Sequence, residues 1–177
     1  MYMKKLIIAA MCGMLAASAA GCRAKENSSG GEKHPSEGQI SGISYKADPS
    51  WTVQEEDGQL LLYPEGEQSA ASRIVMYYTE ADLSEMPAEE VCRETASVLW
   101  ETGTDTYSAE ETEISGRKVL KASWSRQKDG TVQNGIGYVT PVKDTGIMIV
   151  QYTYDADTEN RYGDKTEQFV KNLVIPQ

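Results

Sequence analysis

Helices packed on an antiparallel sheet, an α+β sandwich, is the fold class this sequence predicts. Three observations predict it. After residue 40 most apolar stretches are short, of strand length, and are separated by Gly-containing turns. Only two segments, Pro87 to Thr102 and about Thr158 to Leu173, place apolar residues at helical spacing. One stretch, Ile147 to Tyr154 (IMIVQYTY), is apolar on nearly both faces, as a central strand covered on both sides would be.

The elements follow in order. Trp51 to Val53 and Gln59 to Tyr63 read as a hairpin around Glu56-Asp57-Gly58. Ser72 to Thr79 (SRIVMYYT) reads as a buried strand, and Glu80 to Met86 as an acidic connection. Pro87 suits the first turn of a helix, because its missing N–H would have no intrahelical partner there. On that helix Ala88, Val91, Thr95, Val98, Leu99 and Thr102 fall on one face, and Gly103 is its expected stop. Tyr107 to Ile114 is the next strand, turned at Ser115-Gly116. In Lys118 to Arg126, residues Leu120, Ala122 and Trp124 share a face. Asp129-Gly130 is the strongest hairpin signal in the chain. Thr131 to Val142 puts Val132, Ile136 and Tyr138 on one face, and Lys143 to Gly146 turns again into Ile147 to Tyr154. The last helix is expected to bury Tyr162, Thr166, Phe169, Val170 and Leu173, with Asp157 as its N-cap.

The chain before this region has a different composition. Lys4 and Lys5 precede an apolar run from Leu6 to Ala20, and small residues lead to Cys22. That is the order of a secretory signal peptide. The run is shorter than the ~20 residues a transmembrane helix needs. Residues 1–21 resemble a bacterial lipoprotein signal ending Ala19-Ala20-Gly21-Cys22. The resemblance implies cleavage before Cys22 and its acylation, with palmitate or a similar chain. The alternative is ordinary cleavage after Ala17-Ser18-Ala19, which leaves Cys22 a thiol. One acyl chain anchors only marginally, whereas a diacylglyceryl group supplies two. Residues 22–39 lack large apolar side chains and read as the lipidated Cys22 and a flexible tether. Residues 40–177 are then the globular domain.

Formal net charge is −10, and loss of Lys4 and Lys5 with the leader takes the chain to −12. The excess lies after the tether, whose own charges balance. So acidic a domain excludes nucleic acid as an expected partner, since phosphates demand a basic footprint. It also places membrane contact on lipid at Cys22 and not on a basic surface. Cys12 leaves with the leader and Cys22 carries lipid, so Cys92 stands alone and no intramolecular disulfide is expected.

The order of elements resembles the Mog1/PsbP-like fold, in particular its small bacterial lipoprotein members. The features that carry the resemblance are Tyr45 with Asp48-Pro49-Ser50-Trp51, Gly58-Gln59-Leu60-Leu61-Leu62, Ile74-Val75-Met76-Tyr77, Ile114-Ser115-Gly116-Arg117, and Ile147 to Tyr154 before a terminal helix. It covers about residues 43 to 177. It implies an α/β/α sandwich built on an antiparallel sheet, and no function. Better-known relatives serve as a photosystem accessory protein and as a binder of a small GTPase, roles that do not fit an exported bacterial lipoprotein.

Chemistry is sparse. His34, the single histidine, lies in the tether, so Ser-His-Asp and Cys-His catalysis have no base in the domain. GxSxG, Walker, HExxH and CxxC motifs are absent. Cys92 reads as a packed small hydrophobe. Asp155, Asp157 and Glu159 suggest a calcium loop, but the EF-hand pattern of Gly at position six and Glu at position twelve fails. The acidic cluster Glu80, Asp82, Glu85, Glu89 and Glu90 reads as a solvated surface. No metal and no cofactor is expected. Trp100 projects opposite the helix's apolar stripe, near Arg93, and an exposed Trp beside Arg is a typical protein-contact composition. In the competing reading Trp100 folds under the next loop. Ten tyrosines against one phenylalanine suggest half-buried aromatics with wet hydroxyls, in sheet packing or on a sugar-binding face.

The expectation is a membrane-anchored, non-catalytic extracytoplasmic lipoprotein that presents a partner-binding or accessory domain, with Trp100 and Arg93 as contact residues. The alternatives are a small-molecule, peptide or glycan-binding module, and an enzyme with paired carboxylates. An exposed Trp100 on a flat apolar patch would mark the first, a deep aromatic-lined cleft the second, and two facing carboxylates in a cleft the third.

Overall fold

The computed structural model describes residues 33–34, 36–64, 73–84, 86–156 and 160–176. The leader, Cys22, Ser72, Glu85, Asp157 and Glu159 lie outside the described residues. The strands are β1 (Lys33–His34), β2 (Glu37–Ile40), β3 (Ile43–Lys46), β4 (Thr52–Glu56), β5 (Gln59–Tyr63), β6 (Arg73–Glu80), β7 (Thr106–Ile114), β8 (Arg117–Lys128), β9 (Thr131–Val142) and β10 (Gly146–Asp155). Helix α1 (Ala88–Ala96) continues into a π-helical turn, Ser97–Glu101, and α2 is Gly163–Lys171.

Eight strands form one antiparallel sheet in the order β1-β4-β5-β6-β10-β9-β8-β7, and β2 and β3 pair as a separate hairpin. The chain leaves β6 in the middle of the sheet, crosses β9 and β8 as α1, and starts again at the far edge as β7. Three hairpins then bring it back, so that β10 closes against β6. The turns at Ser41-Gly42, Asp57-Gly58, Ser115-Gly116 and Asp129-Gly130 all hold positive φ at both residues. That is the type I′ geometry whose twist matches the flanking strands.

The helices lie on opposite faces of the sheet. Tyr138 of β9 is opposite Val150 of β10, which is opposite Met76 of β6. These three share a core with Leu60, Leu62 and Ile74, closed by Tyr162, Phe169, Val170 and Leu173 from α2 and by Ile43 and Tyr45 from β3. The neighbouring positions point the other way: Val139, Ile147 and Ile149, with Leu120 and Ala122 of β8, are buried on the α1 side. Each fully buried aliphatic side chain contributes roughly 1.5–3 kcal/mol. The central strand covered on both faces and the buried side of α2 are as the sequence predicts.

Three boundaries differ from expectation. Strands β1 and β2 lie inside the segment read as a tether, and β1 pairs with β4 through Lys33–Gln54 and His34–Val53. The ordered sheet therefore starts earlier than composition suggests. The Ser41-Gly42 turn between Ile40 and Ile43 was the available signal. Helix α2 begins at Gly163, later than about Thr158; Tyr162 precedes it, and Thr166 Oγ1 donates to the Tyr162 carbonyl at 2.7 Å. Helix α1 does not continue as an α-helix to Thr102. It widens into the π turn and stops at Gly103, whose φ is +75°.

Candidate functional site

The π turn decides where Trp100 goes. On a regular helix Trp100 would face away from the sheet. The wider turn inserts a residue into the helical repeat and swings the indole back. Trp100 is only 3% exposed, and its Nε1 donates to Gln151 Oε1 at 3.1 Å. It stacks on Trp124 with ring centroids 4.9 Å apart and planes 5° from parallel. The two indoles lie over Gly137 and Gly135 of β9. A Cβ at Gly137 would stand 2.2 Å from the Trp100 ring, and one at Gly135 2.0 Å from Trp124. Trp100 is thus a core residue, and the exposed-contact reading of it is corrected.

Arg93 is exposed, and its guanidinium donates to Glu111 Oε1 at 2.5 Å. Lys118 pairs with Glu89, which holds the Glu89 carboxyl below its ordinary range. Between these pairs α1 and the sheet leave a groove of about 300 Å³, with Cys92, Leu120, Val139 and Pro141 among its walls. Burial, and secondarily Glu89, push the Cys92 thiol up to about 12, so it is neither a thiolate nor a nucleophile at neutral pH. It packs as the small hydrophobe the sequence suggests.

The described acidic residues do not assemble into a site. Asp82 accepts from the Ser84 hydroxyl at 2.6 Å and its N–H at 2.9 Å, which lowers its carboxyl. Among the described residues no group of His, Cys, Asp and Glu is placed to hold a metal ion. Trp51 Nε1 and Tyr77 Oη are buried with no hydrogen-bond partner among the described residues, and neither lines the groove under α1.

A second hollow, about 420 Å³, opens on the α2 side where β7 begins beside the β8–β9 hairpin. Its polar lining is Thr106, Ser108, Ser123, Ser125, Asn134 and Asn160. Ile136 and Tyr154 supply the apolar part. Tyr154 stacks on Tyr152 at 5.2 Å, and Tyr152 meets Tyr162 edge-on at 6.2 Å, so the ring is backed by the core. The hollow is a shallow depression, not the deep aromatic cleft expected of a ligand-binding module. Its residues come from three strands, a fourth strand's tyrosine and a loop. In the sequence the only trace is the run of small polar residues on one face of β8, Ser123 and Ser125, where Val119 earlier on the same face is buried.

No family model matches the chain, and no curated protein matches it. Solved structures do. A protein of Bacteroides thetaiotaomicron VPI-5482 superposes with a TM-score of 0.58 at 13% identity over 83% of this chain, which spans about half, 49%, of that protein. LpqN of Mycobacterium tuberculosis, involved in cell envelope biogenesis, gives 0.57 at 10% identity over 84% of this chain and 88% of its own. Cyanobacterial PsbP (CyanoP) of Synechocystis sp. PCC 6803 gives 0.54 at 10% identity over 88% and 99%. At these identities the likeness is one of fold: an α+β chain whose antiparallel sheet carries two helices, as in cyanobacterial PsbP.

Proposed function

We propose that this chain is a non-catalytic extracytoplasmic lipoprotein, held to the outer face of the cell membrane by lipid on Cys22, whose domain displays a binding surface. The observation that carries the reading is the depression at the β7–β9 end. Five polar side chains stand there on paired strands, Thr106, Ser108, Ser123, Ser125 and Asn134, with Asn160 beside them on a loop, and among the described residues none of the five is hydrogen-bonded through its side chain to another group. The leader ending at Cys22 supports the address. The shared fold with LpqN, a protein involved in cell envelope biogenesis, supports the setting. A second reading takes a protein partner at the α1 groove, with Arg93 held beside it by Glu111 of the lining; the apolar walls of that groove favour it.

Metabolic labelling with a fatty acid tests the anchor. Wild type takes up label and Cys22→Ala does not; an unlabelled wild type refutes the anchor. Photo-cross-linking from position 123, compared with position 118 in the groove, tests the surface. Specific adducts are expected at 123. Adducts confined to 118 transfer the role to the α1 groove.

A further inference from the structure

We infer that the depression at the β7–β9 end binds a neutral saccharide. The inference names the ligand class of the display surface and so rests on that reading. About a quarter of the chain is charged, 25%, yet no residue lining the depression is. A phosphate or carboxylate ligand calls for Arg or Lys, and a cationic one for Asp or Glu. A lipid tail calls for a continuous apolar wall. An extended peptide recognised by strand addition would pair with the backbone edge of β7, whereas the lining side chains of β8 and β9 point out of the sheet face beside that edge.

What the lining offers is hydroxyls and amides, which both donate and accept, beside one fixed aromatic ring. Strand register arranges them in two rows. Ser108 is opposite Ser123, which is opposite Ile136, which is opposite Tyr152. Two residues along, Thr106 is opposite Ser125, then Asn134, then Tyr154. Steps within a row are about 4.8 Å. A saccharide ring carries hydroxyls around its edge and C–H bonds on its faces. The rows meet the hydroxyls, and Tyr154 with Ile136 meets a C–H face. Among the described residues no side-chain hydrogen bond engages Thr106, Ser108, Ser123, Ser125 or Asn134, so their donors and acceptors face a ligand once water leaves. Because they stand on paired strands and Tyr154 is backed by Tyr152, little ordering is required on binding.

The test uses the full chain purified in a detergent without a sugar headgroup. It is presented with an array of neutral mono- to tetrasaccharides, with tetragalacturonate as the charged comparison, and hits are titrated calorimetrically. Saturable binding of a neutral saccharide is expected. Tyr154→Ala and Asn134→Ala should each weaken it about tenfold, and Ser123→Arg should abolish it. Lys46→Ala, on the exposed side of the β2–β3 hairpin, should leave it unchanged. Circular dichroism and the unfolding midpoint show that each variant folds. Co-sedimentation with isolated cell-wall glycan is the second arm: binding there without binding to soluble tetrasaccharides assigns the site to polymer, and the reverse assigns it to free oligosaccharide. The inference is overturned if neither neutral form binds, if tetragalacturonate binds more tightly, or if none of the three substitutions in the depression changes affinity. The labelling of Cys22 reads the anchor alone, so a negative result in either experiment leaves the other standing.

Discussion

On the α1 side of the sheet two stacked indoles lie over two glycines and close the surface down to Gln151. On the α2 side the core is larger, but at β7 to β9 it gives way to hydroxyls and amides that face water. The two faces belong to the same strands. Along β8, Leu120, Ala122 and Trp124 stay buried on one side, while Val119, Lys121 and Ser123 step from buried to exposed on the other. One face is therefore finished for stability and the other is left open at one end.

The largest expected effect breaks the closed face. Trp100→Ala removes a buried indole and leaves Gln151 without its donor, and should cost about 3–5 kcal/mol in urea unfolding. A cost below about 1 kcal/mol would mean that the indole is not what closes that side. A smaller effect lies where α2 docks on the other face. Glu167 accepts from Lys171 at 2.9 Å and Lys121 at 3.0 Å, which lowers its carboxyl. A carboxylate lowered in the folded state adds stability that is complete above its unfolded value, about 4.3. That stability is lost as pH falls through the lowered folded value. The midpoint difference between wild type and Glu167→Gln should thus be present at pH 6 and shrink toward pH 3. A difference independent of pH would remove the ion pairs from the account. The smallest effect belongs to the open end: Asn134→Ala should change stability by no more than about 0.5 kcal/mol. A larger loss would show that the depression is part of the core after all.

The sequence showed the hairpins because their chemistry is local. Asp129-Gly130 and Asp57-Gly58 specify their turns within two residues, and the burial of Phe169, Val170 and Leu173 follows from one helical stripe. The sequence leaves Trp100 open between an exposed contact and a buried ring because a π turn shifts the helical phase, and no residue type announces it; Gly137, the small residue that receives this indole, is more than thirty positions away. The depression was not legible for a similar reason. Ser108, Ser123, Asn134 and Tyr154 become neighbours only through the pairing of four strands, and each alone reads as an ordinary solvated strand position. The early start of the sheet at Lys33 was hidden by composition, because β1 brings no large apolar residue and is recruited by the edge of β4.

That short strand also sets a distance. The chain enters the sheet at β1, on one edge, and the depression lies by β7, on the other. With neighbouring strands about 4.8 Å apart, the seven spacings between them make the sheet roughly 34 Å wide. The full width of the sheet thus separates the strand by which the chain enters from the open face, and a substitution in β1 or β4 is remote from the depression.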